Sequence, residues 1–389
     1  MKTAVPLAWK NLTHDRRRLA VAVGGIAFAV LLMFQQRGFN HALFDSTVEI
    51  VRELDCDLIM VNPARFALTN EIRFPGSWLE IASSQSGVES VEPLFMENIA
   101  ARLRRDGKRA RPIRVLGINL DRPVLRDSRH EILSQINQLR EPNTALIDRL
   151  SKSSYGFELS ADAEFPQLGE LNGSRIRLVG TFQSGRDFAH EGNLLMSAEN
   201  FETYFRYRGA DPLSLVDLGL VKVRAGTRTQ EVLQSLRATL TNNVAVMTRQ
   251  QFIDKEIAFW ARNTPIGVIF MIGTLMGFVV GVIICYQILA NDIAEHLGEF
   301  ATLKAMGYGN RFFFALVIRQ AVYLGLLGFL PGLFFSWLLF EFNAGMTGLL
   351  MQLSIPRVAT ILLATLSMCV VSGLLALRKL LAADPASLF

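Results

Sequence analysis

Four stretches of the chain carry no charged residue for long enough to cross a bilayer: Leu19–Gln36, Pro265–Asn291, Gln320–Phe340 and Val358–Leu377. A spanning helix needs about 20 mostly apolar residues, so each qualifies, the first narrowly. Their spacing is lopsided. Residues 37–264, of ordinary soluble composition, separate the first from the second, while short loops separate the others. The sequence therefore predicts a membrane α-helical protein with four transmembrane helices in a 1 + 3 arrangement. A large α+β domain is inserted between helices 1 and 2.

Hydrophobic residues at 50% and a mean hydropathy of +0.28 fit that blend of membrane and soluble parts. A net charge of +5 could also suit nucleic acid or acidic lipid, but its placement favours topology. Lys2, Lys10, Arg16, Arg17 and Arg18 precede the first span. Lys304, Arg311 and Arg319 lie between the second and third, and Arg378 and Lys379 follow the fourth. The loop between the third and fourth has only Arg357. Lys and Arg collect on the cytoplasmic side of short loops. Both termini and residues 292–319 are thus expected inside, and the large domain outside. The basic run Arg102, Arg104, Arg105, Lys108, Arg109 and Arg111 reads as strand–turn–strand about Asp106-Gly107, so no nucleic-acid partner is expected. The basic-then-apolar N-terminus resembles a signal peptide. Its apolar part is long, and no small-x-small site follows, so an uncleaved anchor is expected.

The expected segments are a cytoplasmic amphipathic N-terminus (1–18), transmembrane helix 1 (19–37) and an external α+β domain with stalk helices (38–262). Then come transmembrane helix 2 (263–290), a cytoplasmic coupling helix or loop (291–311), helix 3 (312–340), a short external loop (341–357), helix 4 (358–377) and a cytoplasmic tail (378–389). Residues 6–19 read either as an interfacial helix with Ala8, Leu12 and Trp9 toward lipid and Lys10 and Arg16 toward water, or as a plain topology signal. Helical spacing continues past the first span through Phe39, Leu43, Val48, Val51 and Leu54, and another helix runs from about Gln250 toward Pro265. Strands are predicted at 58–61, 113–118, 175–182 and 218–223, the third from its period-two alternation. Helices are predicted at 78–84, 198–204, 229–240 and 143–151. The domain could form one or two subdomains.

Of three cysteines, Cys285 and Cys369 fall in spans, and Cys56 alone lies in the external domain, where it has no disulfide partner. If exposed, Cys56 would react with an impermeant thiol reagent. The five histidines are scattered, so no metal site is expected. No GxxxxGK[ST] loop is present to cradle phosphates, and no charged residue sits inside the second, third or fourth span to act as an ion relay. GxSxG, HExxH and paired-carboxylate motifs are missing. The chain is therefore read as no enzyme, with no catalytic residue and no cofactor of its own.

The most specific segment is Asn291–Tyr308. Ile293, Leu297, Phe300 and Met306, with Leu303 at the flank, mark one apolar side of a helix; Asp292, Glu295, Glu299 and Lys304 mark a polar side. Gly307 and Gly309 suit a left-handed stop. Glu295 and Glu299 form a like-charge i,i+4 pair, unfavourable alone, which points to a partner surface. The competing reading is a helix resting on the membrane. The series Gly273, Gly277, Gly281 and the pair Gly328, Gly332 permit close helix approach, either within one chain or at a dimer seam.

The run Glu299-Phe-Ala-Thr-Leu-Lys-Ala-Met-Gly-Tyr308 resembles the signature of FtsX-like permeases of ABC transporters, the group that includes MacB and LolC/LolE. Ala8-Trp-Lys-Asn-Leu12 and Arg378-Lys-Leu380 with Ala383-Asp-Pro-Ala386 are similar to the ends of that family, and Gly192–Ser197 to a segment of its external domain. The whole chain, including Cys285–Leu289, looks like the DevC permeases of DevBCA-type exporters. Unlike MacB it has no ATPase domain, and unlike cell-division FtsX its external domain is large. The resemblance implies a homodimer, a DevA-like cytoplasmic ATPase that binds ATP and Mg, a DevB-like membrane-fusion protein and, through it, a TolC-like outer-membrane channel. It implies a lipid-like cargo, glycolipid among DevC relatives, and a bacterial inner membrane with the large domain in the periplasm. It makes Glu299, Phe300, Leu303, Lys304, Met306 and Gly307 the ATPase-coupling residues. The rival reading is an FtsX-like signaller that controls a periplasmic hydrolase.

Overall fold

The structure is a computed structural model. It describes residues 7–382 apart from 127, 161, 185–186, 188–189, 241, 348–350 and 352. The chain divides into two compact units, one of residues 1–42 with 265–389 and one of 43–264.

The first unit is a helix bundle. Among the described residues, four helices are long and apolar enough to span a membrane: Arg16–Thr47, Pro265–Glu295, Asn310–Asn343 and Ile355–Arg378. Their shared core includes Ile26 and Val30 of the first, Cys285 and Leu289 of the second, Val317 and Leu324 of the third and Met368 of the fourth. The second span leaves Ile272, Met276, Val279 and Ile283 exposed, as suits a lipid-facing side. A short helix, Leu7–His14, precedes the first span. It does not run on to residue 19, because the Asp15 carboxylate accepts the backbone N–H groups of Arg17 and Arg18 at 3.0 and 3.1 Å. That is the geometry of a helix N-cap, and it starts a new helix. Leu12, expected to face lipid, is instead buried in the bundle core, and Trp9 meets Tyr323 edge-on at 5.8 Å. The side chains of Ala8 and Lys10 lie outside the described residues.

The second unit is built on strands β1 (Leu58–Val61), β2 (Phe74–Pro75), β3 (Val88–Glu97), β4 (Arg102–Arg104), β5 (Arg111–Pro112) and β6 (Arg114–Ile118). It continues with β7 (Thr144–Asp148), β8 (Gln167–Leu171), β9 (Ser174–Phe182), β10 (Asn193–Ser197), β11 (Leu215–Val216), β12 (Leu218–Val223) and β13 (Ala245–Thr248). Eleven of these described strands form one sheet in the order β13-β1-β12-β3-β6-β10-β7-β9-β8-β4-β5. The pairs β6–β10 and β7–β9 are parallel and the others antiparallel. Alternate residues of a strand point to opposite faces, and here both faces are covered. Leu58 and Met60 join one core, beneath helices Ser77–Ser83 and Thr229–Leu240. Ile59 and Val61 join the other, with Ile132, Leu139 and Phe252. One continuous sheet makes the domain a single unit rather than two subdomains.

Two-sided burial also explains one error. Residues 143–151, predicted as a helix, contain strand β7, buried along its whole length. A strand covered on both faces reads as a continuous apolar run, without the alternation that would mark it. The strands at 58–61, 175–182 and 218–223 and the helices at 198–204 and 229–240 are where the sequence places them.

Candidate coupling site

The segment with the most specific sequence pattern forms a corner. The second span continues to Glu295, past the expected end at residue 290, and the helix breaks at His296. A separate helix, Leu297–Ala305, follows. It closes in a Schellman motif. Gly307 takes φ +94°, its N–H donates to the Lys304 carbonyl at 3.0 Å, and the Tyr308 N–H donates to the Leu303 carbonyl at 3.2 Å. Glycine is needed there because a left-handed backbone crowds a β-carbon.

The corner is tied down by polar groups that the sequence reading put on an outer face. Asp292 is buried, not solvated. Its carboxylate accepts from Gln320 Nε2 of the third span at 3.1 Å. His296 Nδ1 lies 3.0 Å from the Asp292 carbonyl oxygen. Glu295 pairs with Arg18 at the start of the first span, and Arg18 also donates to the Ile288 carbonyl at 3.4 Å. A buried carboxylate needs such partners, because leaving it unpaired costs several kcal/mol.

Of the residues expected to couple, Glu299, Lys304 and Met306 are exposed, Met306 at 63%. Leu303 instead packs partly buried against the bundle core. The side chain of Phe300 lies outside the described residues. The expected apolar stripe is therefore divided: Ile293 and Leu303 turn inward, and Met306 falls beyond the helix end. Among the described residues, Met306 and Tyr308, 46% exposed, are the large apolar groups the corner presents outward. The five packing glycines all face other helices of the same chain. A β-carbon built on Gly328 would lie 2.5 Å from Ile26 Cγ2, and one on Gly332 2.7 Å from Val30 Cγ1. Those on Gly273 and Gly277 would lie 2.5 Å from Gln36 Cδ and 3.2 Å from Met33 Cγ, and Gly281 meets Met368 and Ala29. Gly25, against Ile284 at 2.7 Å, and Gly38, against Phe340, are further close approaches that no spacing rule singled out.

The domain holds a second polar anchor that sequence reasoning missed. Asp217 is fully buried beside three guanidinia, those of Arg208 at 2.6 Å, Arg73 at 3.3 Å and Arg65 at 3.5 Å. Arg65 also donates to the Asp217 and Leu68 carbonyls at 2.8 and 2.7 Å. Helix Arg249–Arg262 is fastened to the same loop. Its Glu256 accepts the Leu68 N–H at 2.8 Å and Trp260 Nε1 at 2.9 Å, and its Lys255 donates to the Arg65 carbonyl at 2.7 Å. Burial pushes the Glu256 carboxyl above the usual range, against these hydrogen bonds. No motif marks this set; its members are spread from residue 65 to residue 260.

Cys56 is buried, and desolvation raises its thiol pKa to about 12. The condition for labelling, an exposed thiol, is therefore not met. Among the described residues no His, Cys, Asp or Glu cluster could hold a metal ion.

No curated protein matches the chain. Among solved structures, the periplasmic region of MacB from Actinobacillus actinomycetemcomitans is similar at 14% identity, covering 52% of this chain and 94% of that one, with a TM-score of 0.36. The extracellular domain of the noncanonic ABC-type transporter YknZ from Gram-positive bacteria is similar at 12% identity, covering 50% and 100%, with a TM-score of 0.33. Residues 269–385 match the FtsX-like permease C-terminal family. The matched segment takes in most of the second span, the corner helix, and the third and fourth spans.

Proposed function

We propose that the chain is the transmembrane permease subunit of a tripartite ABC-type exporter of the DevC kind. A separate DevA-like subunit binds ATP and Mg and docks on the corner helix. A second permease copy completes the membrane pair. A DevB-like fusion protein engages the external domain and leads to a TolC-like channel. The cargo is lipid-like, of the glycolipid class or another hydrophobic compound.

The observation that carries this reading is the corner itself, inside the segment that matches the FtsX-like family. Its exposed tip, Glu299, Lys304 and Met306, follows the helix break at His296 and ends at the left-handed Gly307. Asp292, Glu295 and Arg18 connect it to three spans. A push on that tip is therefore passed to the first, second and third spans together. The chain's own part is to receive motion and transmit it.

Co-purification tests the reading. The isolated chain should hydrolyse no ATP, and with its ATPase it should form a complex that does. A membrane-fusion protein should accompany that complex. Recovery of a peptidoglycan hydrolase in its place would favour the signaller, and ATP turnover by the chain alone would overturn the proposal.

A further inference from the structure

Two cavities flank the first span at the end of the bundle away from the corner helix. One, of about 370 Å³, is lined by Phe34, Arg37, His41, Phe340 and Arg357 among others. The second, of about 360 Å³, continues along Met33, Phe270 and Phe278. Arg37, Thr360 and Ile361 line both. Each falls in the size range of small-molecule sites. The walls are mostly apolar, and the charged groups lining them are all basic; neither lining includes a carboxylate. On the orientation proposed above this is the outer end of the bundle, where Lys and Arg are scarce in short loops. Arg37 is exposed, and His41 and Arg357 are half-buried.

We infer that this end of the bundle binds an amphiphile by its acidic headgroup. The Arg37 and Arg357 guanidinia receive the headgroup, and the apolar walls on either side of the first span take its chains. Guanidinium suits this task because its planar fork pairs with phosphate or carboxylate through two parallel hydrogen bonds. The apolar walls argue for a lipid over a free anion. As the class of cargo, an anionic amphiphile rests on the exporter reading; as a binding site it stands on the cavities alone.

The test uses the full chain, delipidated in a neutral detergent, and titrates it with phosphatidylglycerol or phosphatidylcholine of the same acyl chains. Phosphatidylglycerol should bind roughly tenfold more tightly or better, the worth of one or two hydrogen bonds between charged groups. The double variant Arg37→Gln, Arg357→Gln should lose that preference while binding phosphatidylcholine as before, which also shows that it is folded. Arg37→Lys should keep part of the preference. Soluble glycerol 3-phosphate should fail to compete at equal concentration. Equal affinity for the two lipids would mean that these arginines merely extend toward water and would overturn the inference. So would full competition by glycerol 3-phosphate, which would indicate a free-anion site. With the ATPase added, faster exchange of bound phosphatidylglycerol during ATP turnover assigns it as cargo. Exchange indifferent to ATP marks a resident lipid and rejects that assignment. Failure to assemble with an ATPase would sink the exporter reading and leave the lipid preference untouched.

Discussion

Cys56 shows how far a single residue can be read from sequence. Its place in the domain is plain from the span pattern, but its burial is set by strands and helices distant in the chain. An impermeant maleimide should therefore leave the native protein unlabelled and react only after denaturation. Asp106→Cys, at the exposed Asp106-Gly107 turn, should label at once from the outer side. Labelling of Asp106→Cys from the cytoplasmic side alone would reverse the proposed topology. Gly328 was legible as a packing residue, because small residues four apart mark close helix approach; its partner Ile26 was not. Gly328→Val should cost about 1–3 kcal/mol through overpacking, and Ile26→Ala should recover part of that loss in thermal unfolding of the purified chain. His190 carried no sequence signal at all. Burial, reinforced by the nearby Arg114, lowers its pKa. For Asp187 burial works upward, yet Arg114 and His190 prevail and hold its carboxyl well below the usual range. Both groups bind fewer protons folded than unfolded. Stability should therefore fall as pH drops through about 6.5 and again below about 4. The thermal transition of the domain should follow pH less steeply between 7 and 5 in His190→Gln than in wild type.

At the scale of elements, the spans and the corner helix were legible because long apolar runs and a Gly-terminated amphipathic stretch are local signals. The direction of the corner's faces was not. Whether Asp292 meets water or Gln320 depends on a helix that begins at Asn310, and periodicity within one segment carries no such information. The same limit hid β7, whose apolar run is common to buried strands and buried helices. The corrected faces change which substitutions test coupling. Met306→Ser with Lys304→Ser should weaken ATPase docking by roughly tenfold, the worth of one apolar side chain at a partner surface, and leave the bundle's thermal stability unaltered. Leu303→Ala should do the reverse, lowering stability by about 1–2 kcal/mol, less than a fully buried leucine would cost, with docking per folded molecule preserved. Equal loss of docking in both would reject the division of faces described above.

For the whole molecule, the 1 + 3 plan follows from span spacing and the α+β character of the inserted domain from its strand and helix patterns, and the structure has both. Strand order was beyond reach, because pairing between distant segments leaves no local mark. Yet that order decides when the domain can fold. β1, the first strand after the first span, lies between β12 and β13, with Leu58 opposite Val221 on one side and Thr248 on the other. Long-range pairing of this kind forms late, because the loop must close before any contact is gained. On the proposed topology, β1 stays unpaired during synthesis and translocation until nearly the whole domain has crossed. Closure then comes only a short stretch of chain before the second span, at Pro265, enters the bilayer. A chain ending after Asn243 lacks β13 and should be digested by protease, while one ending after Thr264 should resist. The interval between those two positions is the window in which the newly made domain is most exposed to degradation and to capture by chaperones.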